Sequence, residues 1–340
     1  MDIQALQKTI SQLLAEDKGI LAMDESIASC NKRFEAAGIP QTFEMRRLYR
    51  ELIVTAPLLD KYISGAILFD ETIHQQTTDG KLLIDVLRDK GIIPGIKVDL
   101  GTVPLAAFPG EKITEGLDRL RERLAAYYQL GARFAKWRAV ITIDGDLPSS
   151  SSIYANCHLL ARYAALCQEA GLAPIVEPEV LMTGDHNLYI SETVTRRTLN
   201  FLFEELYNHR VDLQGIILKP NMILPGLTSA DQSDIITIAD TTVLCLLETV
   251  PAIVPGIAFL SGGQSPELAT GRLNVMHKRF KHSMPWKLTY SYSRALQQPA
   301  LERWKGDSSN VPAAQQELVK RAALNCRANR GVYSAAMEDK

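Results

Sequence analysis

GIILKPN, Gly215 to Asn221, reads as a buried strand (Gly215, Ile216, Ile217, Leu218) that runs into Lys219 and is stopped by Pro220, which cannot continue a central strand. A lysine at a strand's exit is either a solvated stem end, the ordinary case because Lys is rarely buried, or a desolvated amine. Burial disfavours the ammonium form, moving the pKa from roughly 10.4 towards about 7–8 and freeing a neutral amine to attack a carbonyl carbon. The flanking sequence decides between the two.

Working outward, the same pattern recurs on both sides. Towards the N-terminus, short apolar runs end in polar residues: GILAMDES at Asp24, ISGAILFDET at Asp70 and Glu71, GIIPGIKVD at Lys97 and Asp99, GARFAKWRAV at Lys136 and Arg138, and APIVEPEV at Glu177 and Glu179. Towards the C-terminus, IVPGIAFLSGGQSP ends in Ser261 and a glycine pair, and WKLTYSYSRAL, Trp286 to Leu296, carries Arg294. Helices separate them: Thr42–Thr55, a segment with Leu117, Leu120, Leu124 and Tyr127, SSIYANCHLLARYAALCQEAG closed by Gly171, Val194–Tyr207 and Ile235–Leu247. An opening helix carries Ile3, Leu6, Ile10, Leu13 and Leu14 on one face, with Gly19 as its expected cap, and helices continue to about Ala328.

Eight strand candidates alternating with helices, with no linker between them, predict a (β/α)8 TIM barrel; a doubly wound sheet is the alternative. The barrel is favoured because polar residues gather at strand C-termini, where barrels build active sites. The expected unit is one domain over 1–340, with a short tail from about 328.

Composition narrows the function classes. A net charge of −2 gives no general attraction to nucleic acid or anionic membrane, and no stretch is apolar for long enough to span a bilayer. The start, MDIQALQKTI, has no basic-then-apolar leader pattern, so a cytoplasmic protein is expected. Five scattered cysteines without a CxxC pair suggest neither a disulfide framework nor a zinc site. The six histidines show no HxH or HExxH spacing, and His158, inside a helix, reads as a packing histidine. No metal and no dinucleotide cofactor is expected.

Side chains at i and i+2 of a strand share a face, about 6.6 Å apart. Glu177 with Glu179, Lys136 with Arg138, and Lys97 with Asp99 can therefore each project into the barrel, where buried charges must compensate one another. Such a cluster suits carbon–carbon chemistry through an imine: Lys219 attacks a ketone, one carboxyl shuttles protons, and a second carboxylate takes a hydroxyl proton as the bond breaks. Lys136 and Lys97 would keep a neighbouring amine deprotonated and hold anionic groups. Ser261, Gly262 and Gly263 are expected to open a helix whose N–H groups favour a phosphate, with Ser265 and Pro266 as N-cap and first residue and Arg294 as a bidentate partner. Ser26, Ser29, Arg33 and Lys97 could form a second anion site across the mouth, so two phosphates on one sugar would fit.

At these residues the chain resembles the class I fructose-bisphosphate aldolases. The resemblance rests on GILAMDES, RRLYRELI, ILFDET, GIKVD, FAKWRAV, ARYAALC, PIVEPEV, LKPNMILPG, FLSGGQS and SYSRALQ, which cover most of the chain. It implies a homotetrameric barrel that reversibly cleaves fructose 1,6-bisphosphate into two triose phosphates in glycolysis and gluconeogenesis, without a metal or other cofactor beyond a covalent imine. It makes Lys219 the Schiff-base lysine, Glu177 the principal proton donor and acceptor, and Asp24 the base at the C4 hydroxyl, assisted by Glu179 and Lys136. Ser261 to Gly263, Ser291 and Arg294 would hold one phosphate, with Arg33, Ser26, Ser29 and Lys97 near the other and Arg138 also among the substrate-binding residues.

Four departures from the family pattern stand out: MDES for ADES, DLG for DKG after Lys97, SYSRAL for SYGRAL, and an end at MEDK without a terminal tyrosine. Ser293 would be strained if its backbone needs positive φ. A lysine-imine barrel acting on a monophosphorylated sugar and a sugar-phosphate-binding scaffold without turnover are the competing readings. Preference among fructose 1,6-bisphosphate, fructose 1-phosphate and sedoheptulose 1,7-bisphosphate stays open.

Overall fold

The computed structural model describes residues 2–339; Met1 and Lys340, the two ends of the expected unit, lie outside the described residues. Eight parallel strands follow one another around a barrel in chain order: β1 (Gly19–Met23), β2 (Ile63–Leu68), β3 (Ile93–Lys97), β4 (Phe134–Ile141), β5 (Ala173–Val180), β6 (Ile217–Leu218), β7 (Gly256–Phe259) and β8 (Lys287–Tyr290). The seam between β1 and β8 is bridged where the Ala22 N–H donates to the Tyr292 carbonyl at 3.0 Å. All eight sequence candidates are strands. The one that opened the reading is the shortest: Gly215 belongs to a 3-10 turn, so β6 is only Ile217 and Leu218 before Lys219.

Period-two alternation sorts each strand into an outward and an inward face. In β4, Ala135, Trp137 and Ala139 face the helices, and Trp137 packs at 5.6 Å from the ring of Tyr163. Phe134 faces inward, where it joins Ile20, Ala22, Ile67, Ala173, Ile175, Ile217 and Ala258 in a separate apolar cluster that fills the lower barrel. The opening helix, α1 (Ile3–Leu13), closes this end: Leu6, Ile10, Leu13 and Leu14 belong to the same cluster. Its expected cap is corrected here. Leu14 caps α1, and Gly19 is the first residue of β1, where an added Cβ would lie 2.2 Å from the Tyr290 ring.

The helix edges differ in detail. Leu117 precedes its helix, which spans Leu120–Leu130, and the Val194–Tyr207 helix is longer, Leu188–Asn208. An antiparallel hairpin, Gly101–Pro104 with Lys112–Glu115, sits between β3 and β4; FPG at its turn, with Gly110 at φ +81°, was its sequence signal. No helix among the described residues is long and apolar enough to cross a membrane. After the last long helix, Val311–Asn329, the chain stays pinned: the Tyr333 hydroxyl donates to Glu338 at 2.7 Å, and Arg321 pairs with the same carboxylate.

Candidate active site

The inward face that is apolar at the strands' N-terminal ends turns charged at their C-terminal ends. Ile20 and Ala22 give way to Asp24, Phe134 to Lys136 and Arg138, Ala173 and Ile175 to Glu177 and Glu179, and Ile217 to Lys219. These charged side chains line one cavity of about 820 Å³ together with Lys97, Arg33, Ser26, Ser29, Ser261, Gly262, Ser291 and Arg294. Gly263 adjoins it: a Cβ there would meet the Arg294 guanidinium at 3.2 Å. Asp70 and Glu71 do not reach the mouth. They start a short helix outside it, where Asp70 accepts from the Tyr127 hydroxyl at 2.7 Å and Glu71 forks onto Arg46.

At the centre, Lys219 is only 3% exposed, and its Nζ lies 3.4 Å from Glu177 Oε1. The other oxygen of Glu177 is 3.3 Å from Lys136 Nζ, and Lys136 is in turn 2.7 Å from Asp24 and 3.9 Å from Asp99. Burial pushes the Lys136 amine down, but Asp24, Glu177 and Asp99 outweigh it and hold the group above its ordinary range as an ammonium. Burial likewise pushes the Asp24 carboxyl up, and the positive fields of Lys136 and then Lys219 leave it below its ordinary value. The Lys136 charge, expected to act on Lys219 as a like charge, is thus matched by three carboxylates. Asp99 also grips the Lys97 amine at 2.7 Å, and Arg138 pairs with Glu179.

The phosphate-side helix has the expected cap and first residue, Ser265 and Pro266, with the glycine pair in the turn just ahead of it. Ser261, Gly262 and Gly263 make that turn, with Gly262 at φ +58° and Gly263 at φ +94°. Positive φ explains the glycine pair. Arg294 is not on β8; it opens the helix Arg294–Trp304, capped by Ser293. Ser26 caps its own helix, accepting from the Ser29 N–H at 3.3 Å.

Sequence reasoning missed Glu25. Next to Asp24 it also lines the mouth cavity, with its carboxylate buried where Arg50 and Arg33 bind it at 2.5 and 2.6 Å. Burial raises this carboxyl, but the two guanidiniums and the Ser293 hydroxyl hold it well below the usual carboxylate range. Ser293 is the hub: its Oγ donates to Glu25 at 2.5 Å and accepts from Arg33 at 3.0 Å, while Gln297 donates to Glu25 at 2.9 Å. Its φ is −105°, so the strain expected of serine at this position does not arise. Arg33 therefore stands on the Arg294 side of the mouth and, after burial, is the strongest influence holding Arg294 below its ordinary pKa. The other departures are mild: Met23 packs outward in the helix layer, and Leu100 is exposed at the rim.

A family model described as fructose-bisphosphate aldolase class-I matches residues 5–340. A probable fructose-bisphosphate aldolase class 1 of Xanthomonas campestris pv. campestris is 54% identical over 326 residues, covering 96% of this chain and 97% of the relative. Cytosolic fructose-bisphosphate aldolase 4 of Arabidopsis thaliana is 49% identical, covering 93% of this chain and 80% of that one. Among solved structures, fructose-bisphosphate aldolase from Plasmodium falciparum, crystallised with TRAP and a small-molecule inhibitor, superposes with a TM-score of 0.96 at 42% identity, covering 98% of this chain and 96% of that chain. With the family model spanning nearly the whole chain and the strand-end charges in one barrel mouth, this chain belongs to the class I fructose-bisphosphate aldolases.

Proposed function

We propose that this aldolase works as one barrel unit and cleaves fructose 1,6-bisphosphate reversibly through an imine on Lys219, with no metal or other cofactor. The observation that carries the reading is the buried relay Lys219–Glu177–Lys136–Asp24, at 3.4, 3.3 and 2.7 Å. Lys219 Nζ adds to the C2 carbonyl; Glu177, beside it, supplies the proton with which the carbinolamine hydroxyl leaves as water. Asp24 takes the C4 hydroxyl proton, the C3–C4 bond breaks, and its electron pair passes into the iminium to give an enamine. The aldehyde product departs. Protonation of the enamine carbon and hydrolysis of the imine then release dihydroxyacetone phosphate and restore the amine.

Lys136 anchors the two acids, and Glu179 holds Arg138 at the rim. Arg294, Ser291 and the Ser261–Gly263 turn would bind one phosphate, with Arg33 beside Arg294 rather than across the mouth, and Lys97, Ser26 and Ser29 would meet the other. Ligands are thus phosphorylated ketoses and triose phosphates, and the working form is a cytoplasmic homotetramer, by likeness to the family. Borohydride reduction in the presence of substrate should leave a covalent adduct on Lys219, found by peptide mass mapping. No adduct together with loss of activity in chelator would refute the reading. Repeating the test with mono- and bisphosphorylated sugars ranks the substrates.

A further inference from the structure

Away from the barrel mouth, the helices Ser150–Glu169 and Leu188–Asn208 pack side by side on the outer layer and bring together His158, Glu205 and His209. The Glu205 carboxylate is 4% exposed, and among the described residues no lysine or arginine pairs with it; its nearest side chains are the two imidazoles, of which His209 Nδ1 also lies 2.9 Å from the Glu205 carbonyl. His158 Nδ1 lies 2.8 Å from Glu205 Oε2 and His209 Nδ1 3.6 Å from it. A carboxylate taken out of water needs compensating charge, and one neutral imidazole hydrogen bond supplies little of it. His158 is satisfied, as its sequence position suggested, by the Glu205 contact and the Tyr154 ring, but its side chain is 40% exposed and that of His209 24%, so the cluster opens to solvent.

We propose that His158, Glu205 and His209 form a binding site for a divalent transition-metal ion of the Zn²⁺ class, linking the two helices. Their candidate ligand atoms all lie within 4.8 Å of one another. Two imidazoles with one carboxylate suit Zn²⁺, Co²⁺ or Ni²⁺ better than Mg²⁺ or Ca²⁺, which prefer all-oxygen shells. Bonds of about 2.0–2.1 Å set tetrahedral ligands about 3.3 Å apart, so the His158–Glu205 hydrogen bond opens by roughly half an ångström as the ion enters. The helix supports the ligands: Glu205 and His209 are one turn apart on one face, and Tyr154 stacks on the His158 ring at 6.3 Å with an interplanar angle of 16°. Water completes the shell on the exposed side. The site is remote from the reacting lysine, so its effect is on the helix pair and not on cleavage.

The test uses the full chain, stripped with chelator and titrated with Zn²⁺ against a chromophoric indicator, then with Co²⁺ followed by its visible absorption. A single tight equivalent is expected, with a Co²⁺ spectrum of nitrogen and oxygen ligands and no thiolate charge-transfer band, since Cys157 is nearby but buried. His158→Gln and His209→Gln should each weaken Zn²⁺ binding by about 100-fold or more while aldol cleavage is unchanged. Zn²⁺ at 100 times its Kd should raise the melting temperature by about 4 °C in the wild type and not in either variant. Zn²⁺ affinity unaltered in both variants, a thiolate band, or binding no tighter than millimolar would overturn the proposal.

Discussion

Replacing Lys136 with methionine keeps the length of the side chain and removes the charge on which the site is balanced. At an effective dielectric of 20, its contacts with Asp24 at 2.7 Å, Glu177 at 3.3 Å and Asp99 at 3.9 Å amount to gross attractions of about 6, 5 and 4 kcal/mol. The full sum cannot appear as lost stability, because a stranded carboxylate escapes by taking up a proton. From an ordinary Asp value of 3.8, binding a proton at pH 7 costs about 4 kcal/mol, and at pH 5 about 1.6 kcal/mol. These values cap the loss if Asp24, whose only ion pair among the described residues is with Lys136, is the group that protonates. With an unfolding entropy of about 2.1 cal/mol/K per residue over this chain, they correspond to melting-temperature drops of about 6 °C at pH 7 and about 2 °C at pH 5.

The sign follows from linkage. In the wild type the Asp24 pKa is depressed, so its contribution is present above the unfolded value and is lost as pH falls through the folded one. In Lys136→Met the folded value is raised above the unfolded one, so the penalty grows with pH across the range measured. Thermal unfolding of both proteins in one buffer series from pH 5 to pH 8 reads this directly. A deficit that is constant with pH, or smaller than about 1 °C throughout, would refute a charge-compensated cluster and mean that Lys136 acts only by filling space.

Three further outcomes follow from other parts of the chain. Ser293→Gly removes the hydroxyl that joins Glu25 to Arg33, at 2.5 and 3.0 Å. It should lower stability by about 1–3 kcal/mol and, by loosening Arg33, raise KM for the bisphosphorylated ketose by up to about tenfold with kcat within about twofold, as steady-state kinetics would report. Burial holds the His277 imidazole neutral, down to about 4, so the unfolded chain protonates first and stability drains away as pH falls from about 6.5 to 4. His277→Gln should flatten that part of the melting-temperature profile, by roughly 3 kcal/mol at its lower end; an unchanged profile would remove His277 as its source.

How much of this was legible beforehand follows from where each residue sits in the alternation. Lys136, Glu177, Glu179 and Lys219 lie two residues apart along their strands or directly at a strand exit, so a period of two was enough to predict that they converge. Glu25 breaks that rule. As the odd neighbour of Asp24 it gave no reason to be expected at the mouth, and its partners Arg50, Arg33, Ser293 and Gln297 come from three different helices or their caps. No spacing in one sequence ties those together. The positive φ of the SGG glycines was not legible for a related reason: glycines that supply positive φ and glycines that merely precede a helix look alike until the backbone is traced.

The lower layer of the barrel explains why the charged layer must compensate so closely. Helix α1 seals the N-terminal end, and Leu6, Ile10, Leu13 and Phe134 leave an apolar floor beneath the site. Above that floor the cations Lys97, Lys136, Arg138 and Lys219 are distributed over the anions Asp24, Asp99, Glu177 and Glu179, each cation within 4.0 Å of at least one anion. Next to an apolar floor this pairing matters, since an unpaired buried ion would cost several kcal/mol. The two contacts of Glu177, at 3.3 and 3.4 Å, are longer than the 2.7 Å between Lys136 and Asp24. Glu177 Oε2 has no hydrogen-bond partner. Held between two lysine side chains at ion-pair rather than short hydrogen-bond distances, this carboxylate is placed to pass a proton to a hydroxyl departing beside Lys219.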